Sequence, residues 1–251
     1  MTNSADEMTE HLLIDAGISK GMRVLDIGCG RGDLSLLLAG MVGPQGQVLG
    51  VDRDENALVL ARERAQEAKL SQVAFSIADL SPLSIDQGPF NAIVGRRVLM
   101  YLPDPGHVIA ALSGLLAAGG VMVFQEHDAT MPPGCVVPMP LHKQASKWVW
   151  ATVEREGGNT HLGFNLWNLL TGSGLVVEKI RAEGLVQTPD TPYPIANIVR
   201  AALPRIVHHG IATKEEIDIS TLERRLAEER DKSNGTYISE MVFCVWARKP
   251  A

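Results

Sequence analysis

The sequence predicts an α/β fold built on a doubly wound, mostly parallel sheet, and three observations carry that prediction. Short apolar runs alternate with segments of helical period through the first half of the chain. Those runs are too uniformly apolar for a sheet with one wet face, so helices must cover both faces. A glycine-rich turn, VLDIGCGRGDLS (24–35), joins the first run to the first helical segment, the place where such folds bind ligands.

The elements follow in order. MRVLDI (22–27) reads as a buried strand and DLSLLLAGMV (33–42) as the helix packed on it. GQVLGVD (46–52) is the second strand. Asp54 then caps ENALVLARERAQEAKL, because a carboxylate accepts from the free amides of a first helical turn. QVAFSIAD (72–79) and FNAIVGR (90–96) are strands three and four. A helix over 104–117 leads through AAGG to VMVFQEHD (121–128), the fifth strand. The proline-rich ATMPPGCVVPMP breaks the pattern after Asp128. A helix with Trp148 and Trp150 and another holding FNLWNLL precede GLVVEKIRAEG (174–184), the sixth strand. QTPDTPYP opens a second helical insertion running to about residue 235. YISEMVFCVWARK (237–249) closes the chain as a long alternating strand, expected to be antiparallel near the sheet edge. The expectation is a Rossmann-like sheet of seven strands in a single domain over 1–251. Its core lies in 20–128, 163–184 and 237–249, with helical lid insertions in 129–162 and 185–236.

Composition narrows the function. The chain has 251 residues, 45% of them hydrophobic and 21% charged, an ordinary globular balance. Its 23 basic and 29 acidic residues give a net charge of −6, which favours neither nucleic acid nor an anionic membrane as partner. Cys29, Cys135 and Cys244 are widely spaced and odd in number, against a disulfide framework or a structural zinc site. The opening MTNSADEMTE resembles neither a signal nor a transit peptide, and the apolar runs are too short to span a bilayer. A cytoplasmic monomer or homodimer without a metal is expected.

The glycine turn discriminates between ligands. Counting from Gly28, the sixth position of a dinucleotide fingerprint falls on Asp33, and a carboxylate at the mouth of a helix repels a pyrophosphate. No Gly-Lys-Ser or Gly-Lys-Thr follows, so the turn is not a P-loop. It suits a ligand with a cationic or zwitterionic part near Asp26 and Asp33. Asp52 ends strand two, where doubly wound sheets grip a ribose diol. Asp79, in ADLSP, ends strand three and can accept a hydrogen bond from an amino group.

VLDIGCGRGDLS, VLGVDRDENALVLA, FSIADLSPL, FNAIVGRRVLMYLPDP and LLAAGGVMVFQEHD together resemble successive motifs of class I S-adenosylmethionine-dependent methyltransferases, continuously over residues 20–128. The resemblance implies adenosylmethionine at the strand C-termini and S-adenosylhomocysteine as product. It implies that Asp26 and the backbone from Gly28 through Cys29 and Gly30 to Gly32 hold the methionine part, next to Asp33. Asp52, followed by Arg53, would take the ribose, Asp79 and the Leu80 amide the adenine, while Arg96 and Arg97 line the methionine end. Plainer readings stand beside these. Asp52 can cap the turn into Asp54, Asp79 can be a turn former, the arginines can be solvated, and Cys29 can simply fill the turn.

Methyl transfer from a sulfonium depends chiefly on in-line positioning. A hydroxyl acceptor also gains from a base, whereas a carbanion or an amine needs only desolvation. FQEHDAT gathers Glu126, His127 and Asp128 at the end of strand five, making His127 and Glu126 the candidate catalytic or substrate-contacting residues. The structural alternative is a strand-end hydrogen bond for His127 and a buried role for Glu126. His142 and His161 are rival bases; His208 and His209 are adjacent, so their side chains diverge. Trp148, Trp150, Trp167, Tyr193, Met131 and Met139 pack the insertions, and some can line an apolar pocket near a sulfonium. GRRVLMYLP stands where many amino-group methylases carry an Asn-Pro-Pro-Tyr motif, which with the acidic charge points to a small, partly apolar acceptor. Two other readings are a non-methylating adenosylmethionine enzyme, such as a cyclase, and an NAD-dependent oxidoreductase resting on Asp52 and fold analogy. The insertions are expected to cover the sulfonium or to form a dimer interface.

Overall fold

The computed structural model describes residues 4–191 and 193–251, and of residues 4–6 the backbone alone. The chain forms two compact units. Residues 6–126, 162–181 and 243–251 make a sheet unit, and residues 127–161 and 182–242 a helical unit.

The strands are β1 (Arg23–Ile27), β2 (Gln47–Asp52), β3 (Val73–Ile77), β4 (Phe90–Arg96), β5 (Leu116–Asp128), β6 (Gly134–Cys135), β7 (Val176–Gln187) and β8 (Tyr237–Arg248). Their order is β3-β2-β1-β4-β5-β8, with β7 also paired to β8. β1 pairs in parallel with β2 and β4, β2 with β3, and β4 with β5. The sheet is thus mostly parallel with an antiparallel last strand, as expected. The two-residue β6, which pairs antiparallel with β8 at Ile238 and Tyr237, was not expected. The register matters for the site: Asp26 lies across from Gly50 and Val94, and Asp52 across from Ile77. The C-terminal ends of β1 to β4 therefore form one edge carrying Asp26, Asp52 and Arg96.

The helices of the sheet unit include α1 (Ser4–Asp15), α2 (Asp33–Val42), α3 (Glu55–Glu67), α4 (Pro105–Leu115) and α6 (Leu166–Gly172). Those of the helical unit are α5 (Pro140–Arg155), α7 (Ile195–His208), α8 (Lys214–Ile217) and α9 (Ile219–Ser233). Asp54 caps α3 as the sequence indicates, its Oδ1 accepting from the Asn56 amide at 2.9 Å and the Ala57 amide at 3.4 Å. Asp104 caps α4 through the His107 amide at 2.9 Å, and Pro105 begins that helix, a position where its missing N–H costs nothing.

Three expectations need correction. α1 lies outside the expected core of 20–128 and its first turns are polar, yet Leu12 and Leu13 at its far end are fully buried and Thr9 Oγ1 donates to Gln125 Oε1 at 2.6 Å. Strand five begins at Leu116, not 121. The chain runs straight from α4 into β5, and AAGG is taken up by a register shift between Phe90↔Leu116 and Ala92↔Val121, with Gly119 at φ 70°. β3 is half-exposed along its length, so the sheet is covered on both faces only in its centre.

That centre is the core: Val24, Leu25, Ile27, Ile93, Val94, Met122, Val123 and Phe124 are all buried. The helical unit has its own core of Trp148, Val199, Ile206, Ile217, Leu222 and Leu226. In chemical denaturation Leu25→Ala should cost about 2–5 kcal/mol, by lost burial and an unfilled cavity, and Asp54→Ala about 1 kcal/mol, by loss of a cap. Losses of equal size would show that Leu25 does not sit in a close-packed core.

Candidate active site

The site grows from the turn between β1 and α2. Gly28, Gly30 and Gly32 all take left-handed backbone, at φ 62°, 52° and 83°. Gly28 is also constrained by space, since a Cβ there would stand 2.6 Å from Val98 Cγ2. Gly30 faces open space, with nothing within 4 Å of the place its Cβ would take. The Cys29 amide donates to the Val51 carbonyl at 3.0 Å and the Gly30 amide to Asp52 Oδ2 at 2.8 Å, so the turn is tied to the end of β2.

Two adjoining cavities open on this turn. One is lined by Asp52, Arg53, Asp79, Leu80 and Leu102 among others, the second by Asp26, Cys29, Gly30, Asp33 and Arg96 among others. Gly28, Arg97 and Tyr101 line both. The structure thus brings together every residue the sequence nominates for a cofactor: Asp26, Gly28, Cys29, Gly30, Asp33, Asp52, Arg53, Asp79, Leu80, Arg96 and Arg97.

Their electrostatics differ. Asp26 is buried; its Oδ2 accepts from Ser35 Oγ at 2.5 Å, while Oδ1 has no partner among the described residues. Burial pushes its carboxyl up to about 7, against the pull of the Ser35 hydroxyl and Arg96. Burial, and then the Asp26 and Asp52 carboxylates, push the Cys29 thiol up, so it fills the turn as a thiol and is no nucleophile. Asp33 is exposed and paired with Arg64 at 2.6 Å, which tempers the charge expected of it at the helix mouth. Asp52 caps as well as faces the cavity: Oδ1 accepts from the Asp54 amide at 3.0 Å, leaving further lone pairs on both oxygens. Asp79 Oδ1 accepts from the Ser81 amide at 2.9 Å, the turn-forming bond, and the residue still lines the first cavity. Arg97 stands at φ 57° with its amide donating to the Gln125 carbonyl at 2.8 Å.

Glu126 and His127 part company. Glu126 is fully buried and lines neither cavity; its Oε1 accepts from the Val98 and Leu99 amides at 3.0 and 2.9 Å. It fastens the start of the 3-10 turn Leu99–Tyr101, the buried role that the sequence allows beside a catalytic one. Burial pushes Glu126 up to about 7, partly offset by those amides. His127, in the helical unit, places Nδ1 2.6 Å from Glu240 Oε1, and Glu240 Oε2 accepts from Trp150 Nε1 at 2.8 Å. Of the rival bases, His142 is buried against Glu229 at 2.7 Å, and burial lowers its pKa. His161 Nδ1 lies 2.9 Å from Thr130 Oγ1. Among the described residues no three His, Cys, Asp or Glu side chains could share a metal ion.

Sequence reading missed Tyr101, Ser35 and Glu240. The first two lie inside quoted motifs: an aromatic just past strand four and a hydroxyl on the first helix were the available signals. Glu240 gave none, because strand β8 brings it to His127 from the far end of the chain.

Residues 18–183 match the family model of a methyltransferase domain. The chain belongs to that family, the class I S-adenosylmethionine-dependent methyltransferases, whose cofactor is adenosylmethionine. It is 31% identical over 117 residues to a demethylmenaquinone methyltransferase of Listeria welshimeri, covering 47% of this chain and 50% of that protein. The chain thus spans about half the length of the curated relatives it matches. Among solved structures it resembles the 4+2 cyclase SpnF (TM-score 0.64, 20% identity, 99% of this chain and 82% of that one). It also resembles phosphoethanolamine N-methyltransferase 2 of Haemonchus contortus in complex with adenosylmethionine (TM-score 0.61, 18% identity, 98% and 53%). At such identities these structures share the fold.

The buried carboxyls set a pH dependence. Asp26 and Glu126 ordinarily titrate near 3.8 and 4.5 and here near 7, so the folded state holds both protons more tightly than the unfolded chain. Their contribution to stability is full below about pH 4 and is lost as pH rises through 7. The unfolding free energy of the ligand-free protein, read from urea titrations, should fall between pH 5 and 8 by roughly a few kcal/mol in total, and Asp26→Asn should flatten part of the slope. A midpoint that rises over that range would mean that both carboxyls are ionised and paired.

Proposed function

We propose that the chain transfers the methyl group of adenosylmethionine to a small, partly apolar acceptor. The observation that carries this reading is the two-compartment cleft. One half holds a buried carboxyl with an unpartnered oxygen, Asp26, the other a strand-end carboxylate, Asp52, and both meet at Gly28, Arg97 and Tyr101. A zwitterion at one end and a nucleoside at the other fit those donor and acceptor sets. When bound, adenosylmethionine supplies a methyl group activated by a sulfonium. Asp26 would hold the ammonium group and be kept as a carboxylate by it, and Arg96 would balance the amino-acid carboxylate. Asp52, next to Arg53, would hold the ribose hydroxyls, and Asp79 and the Leu80 amide would hold the adenine edge. Gly28 would give backbone access, and Tyr101, which lines both cavities, would stand beside the sulfonium.

The acidic net charge and the name of the Listeria relative support a small-molecule acceptor. Cys29, Cys135 and Cys244, none of them in a disulfide among the described residues, accord with a reducing, cytoplasmic setting. We also propose that residues 129–162 and 185–236 serve the acceptor, with adenosylhomocysteine and acceptor together shielding them from protease.

Calorimetric titration with adenosylhomocysteine tests the cleft. Asp52→Ala should weaken binding by about 1–3 kcal/mol. Gly30→Val should weaken it further, because a branched side chain fills the open space and strains left-handed backbone. Wild-type affinity in both variants would place the ligand elsewhere. Label transfer from adenosylmethionine then decides the reaction: binding with turnover but no consumption of the cofactor would indicate a non-methylating enzyme.

A further inference from the structure

We infer that Thr9 of α1, braced by Gln125, is a positioning residue that holds the Arg96 guanidinium ready for the amino-acid carboxylate of the cofactor. The inference rests on the methyltransferase reading and deepens it. Thr9, Arg96, Gln125 and Asp26 all belong to the sheet unit.

Gln125 is the odd residue of the central strand. It follows Val121, Met122, Val123 and Phe124, all buried, and is itself 2% exposed. A buried primary amide is costly unless its polar atoms are paired. Its Oε1 stands 2.6 Å from Thr9 Oγ1, a separation typical of O–H···O, so the threonine hydroxyl donates to the amide oxygen. Gln125 lies across from Arg96 in the parallel register of β4 and β5, and directly paired residues send their side chains to the same face. Thr9, also 2% exposed, meets that face from α1.

The direction of the first bond fixes the second. With its hydrogen directed at Gln125, the Thr9 hydroxyl turns lone pairs to its other neighbour, and a guanidinium only donates. Arg96 Nη1 donates to Thr9 Oγ1 at 3.4 Å, a long bond that steers the side chain and takes one of its five donors. The relay therefore runs from the core, through Thr9, to the wall that Arg96 shares with Asp26 in the second cavity. There the Arg96 charge is felt, since it pulls the Asp26 carboxyl down against the effect of burial. An arginine side chain has much rotamer freedom to lose when it grips a ligand, and one already held loses less. A polar threonine and a polar glutamine are thus buried between a helix and the sheet because together they aim a cation.

Titration calorimetry with adenosylhomocysteine and with decarboxylated adenosylhomocysteine, which lacks only the carboxylate, tests the assignment. Thr9→Val combined with Gln125→Met replaces both buried partners by apolar groups of similar shape, so no amide oxygen is orphaned and the fold is kept. This pair should weaken adenosylhomocysteine by about tenfold and change the decarboxylated ligand by less than about twofold, because the lost bond serves a charged donor aimed at the carboxylate. Thr9→Ser keeps the hydroxyl and should restore adenosylhomocysteine binding. In an Arg96→Met background the double substitution should have no further effect on adenosylhomocysteine. Equal losses for the two ligands, as a merely structural contact would give, would overturn the assignment. So would unchanged adenosylhomocysteine affinity, or a loss of the same size in the Arg96→Met background. Wild-type protein that binds neither ligand would instead overturn the methyltransferase reading.

Discussion

The hydrogen bond from the Gly30 amide to Asp52 Oδ2 joins the glycine turn of one strand to the carboxylate that ends the next, and the cleft is arranged around it. It exists because β1 and β2 run parallel in register, Ile27 across from Val51, so that both strands deliver their C-termini to one edge. An antiparallel neighbour would send Asp52 to the opposite edge. The turn can fold back only through left-handed backbone at three positions, which is why glycine occupies all of them. Asp52 is thereby a structural anchor that also lines the cavity, and its substitution disturbs the turn as well as the cavity wall.

Around that anchor the sheet unit keeps two buried carboxyls half satisfied. Asp26 has one oxygen held by Ser35 and the other bare; Glu126 has one oxygen holding two amides and the other bare. Unpartnered buried oxygens are costly, and both groups answer by holding their protons to about pH 7. Their places give the cost different uses. Asp26 lines a cavity, where a cationic ligand can relieve it, whereas Glu126 lies under the turn that carries Tyr101 and fixes an aromatic wall. Stability given up at Asp26 is thus available to binding.

Much was legible in the sequence for local reasons. Strand and helix order follow from the period of the apolar residues, and the Asp54 cap from a carboxylate ahead of a helical run. The convergence of Asp26, Asp52, Asp79 and Arg96 follows from one rule, that parallel strands end on the same edge. α1 escaped because Leu12 and Leu13, near its far end, are the buried apolar residues among its described side chains, too few to set a period. The start of β5 was misplaced because two glycines read as a turn, while the neighbouring strand absorbed them as a register shift.

The sequence alone determined the sheet, the glycine turn and the acidic strand ends, since each depends on residues close together in the chain or on a topology with few alternatives. Only the tertiary structure decided what each polar side chain does. Glu126 and His127 are neighbours in a strand, so their side chains leave opposite faces. One is turned to the amides of residues 98 and 99, the other to a carboxylate brought by the last strand. Which partner a buried charge meets is set by long-range packing, and no spacing in the sequence encodes the approach of Glu240 to His127.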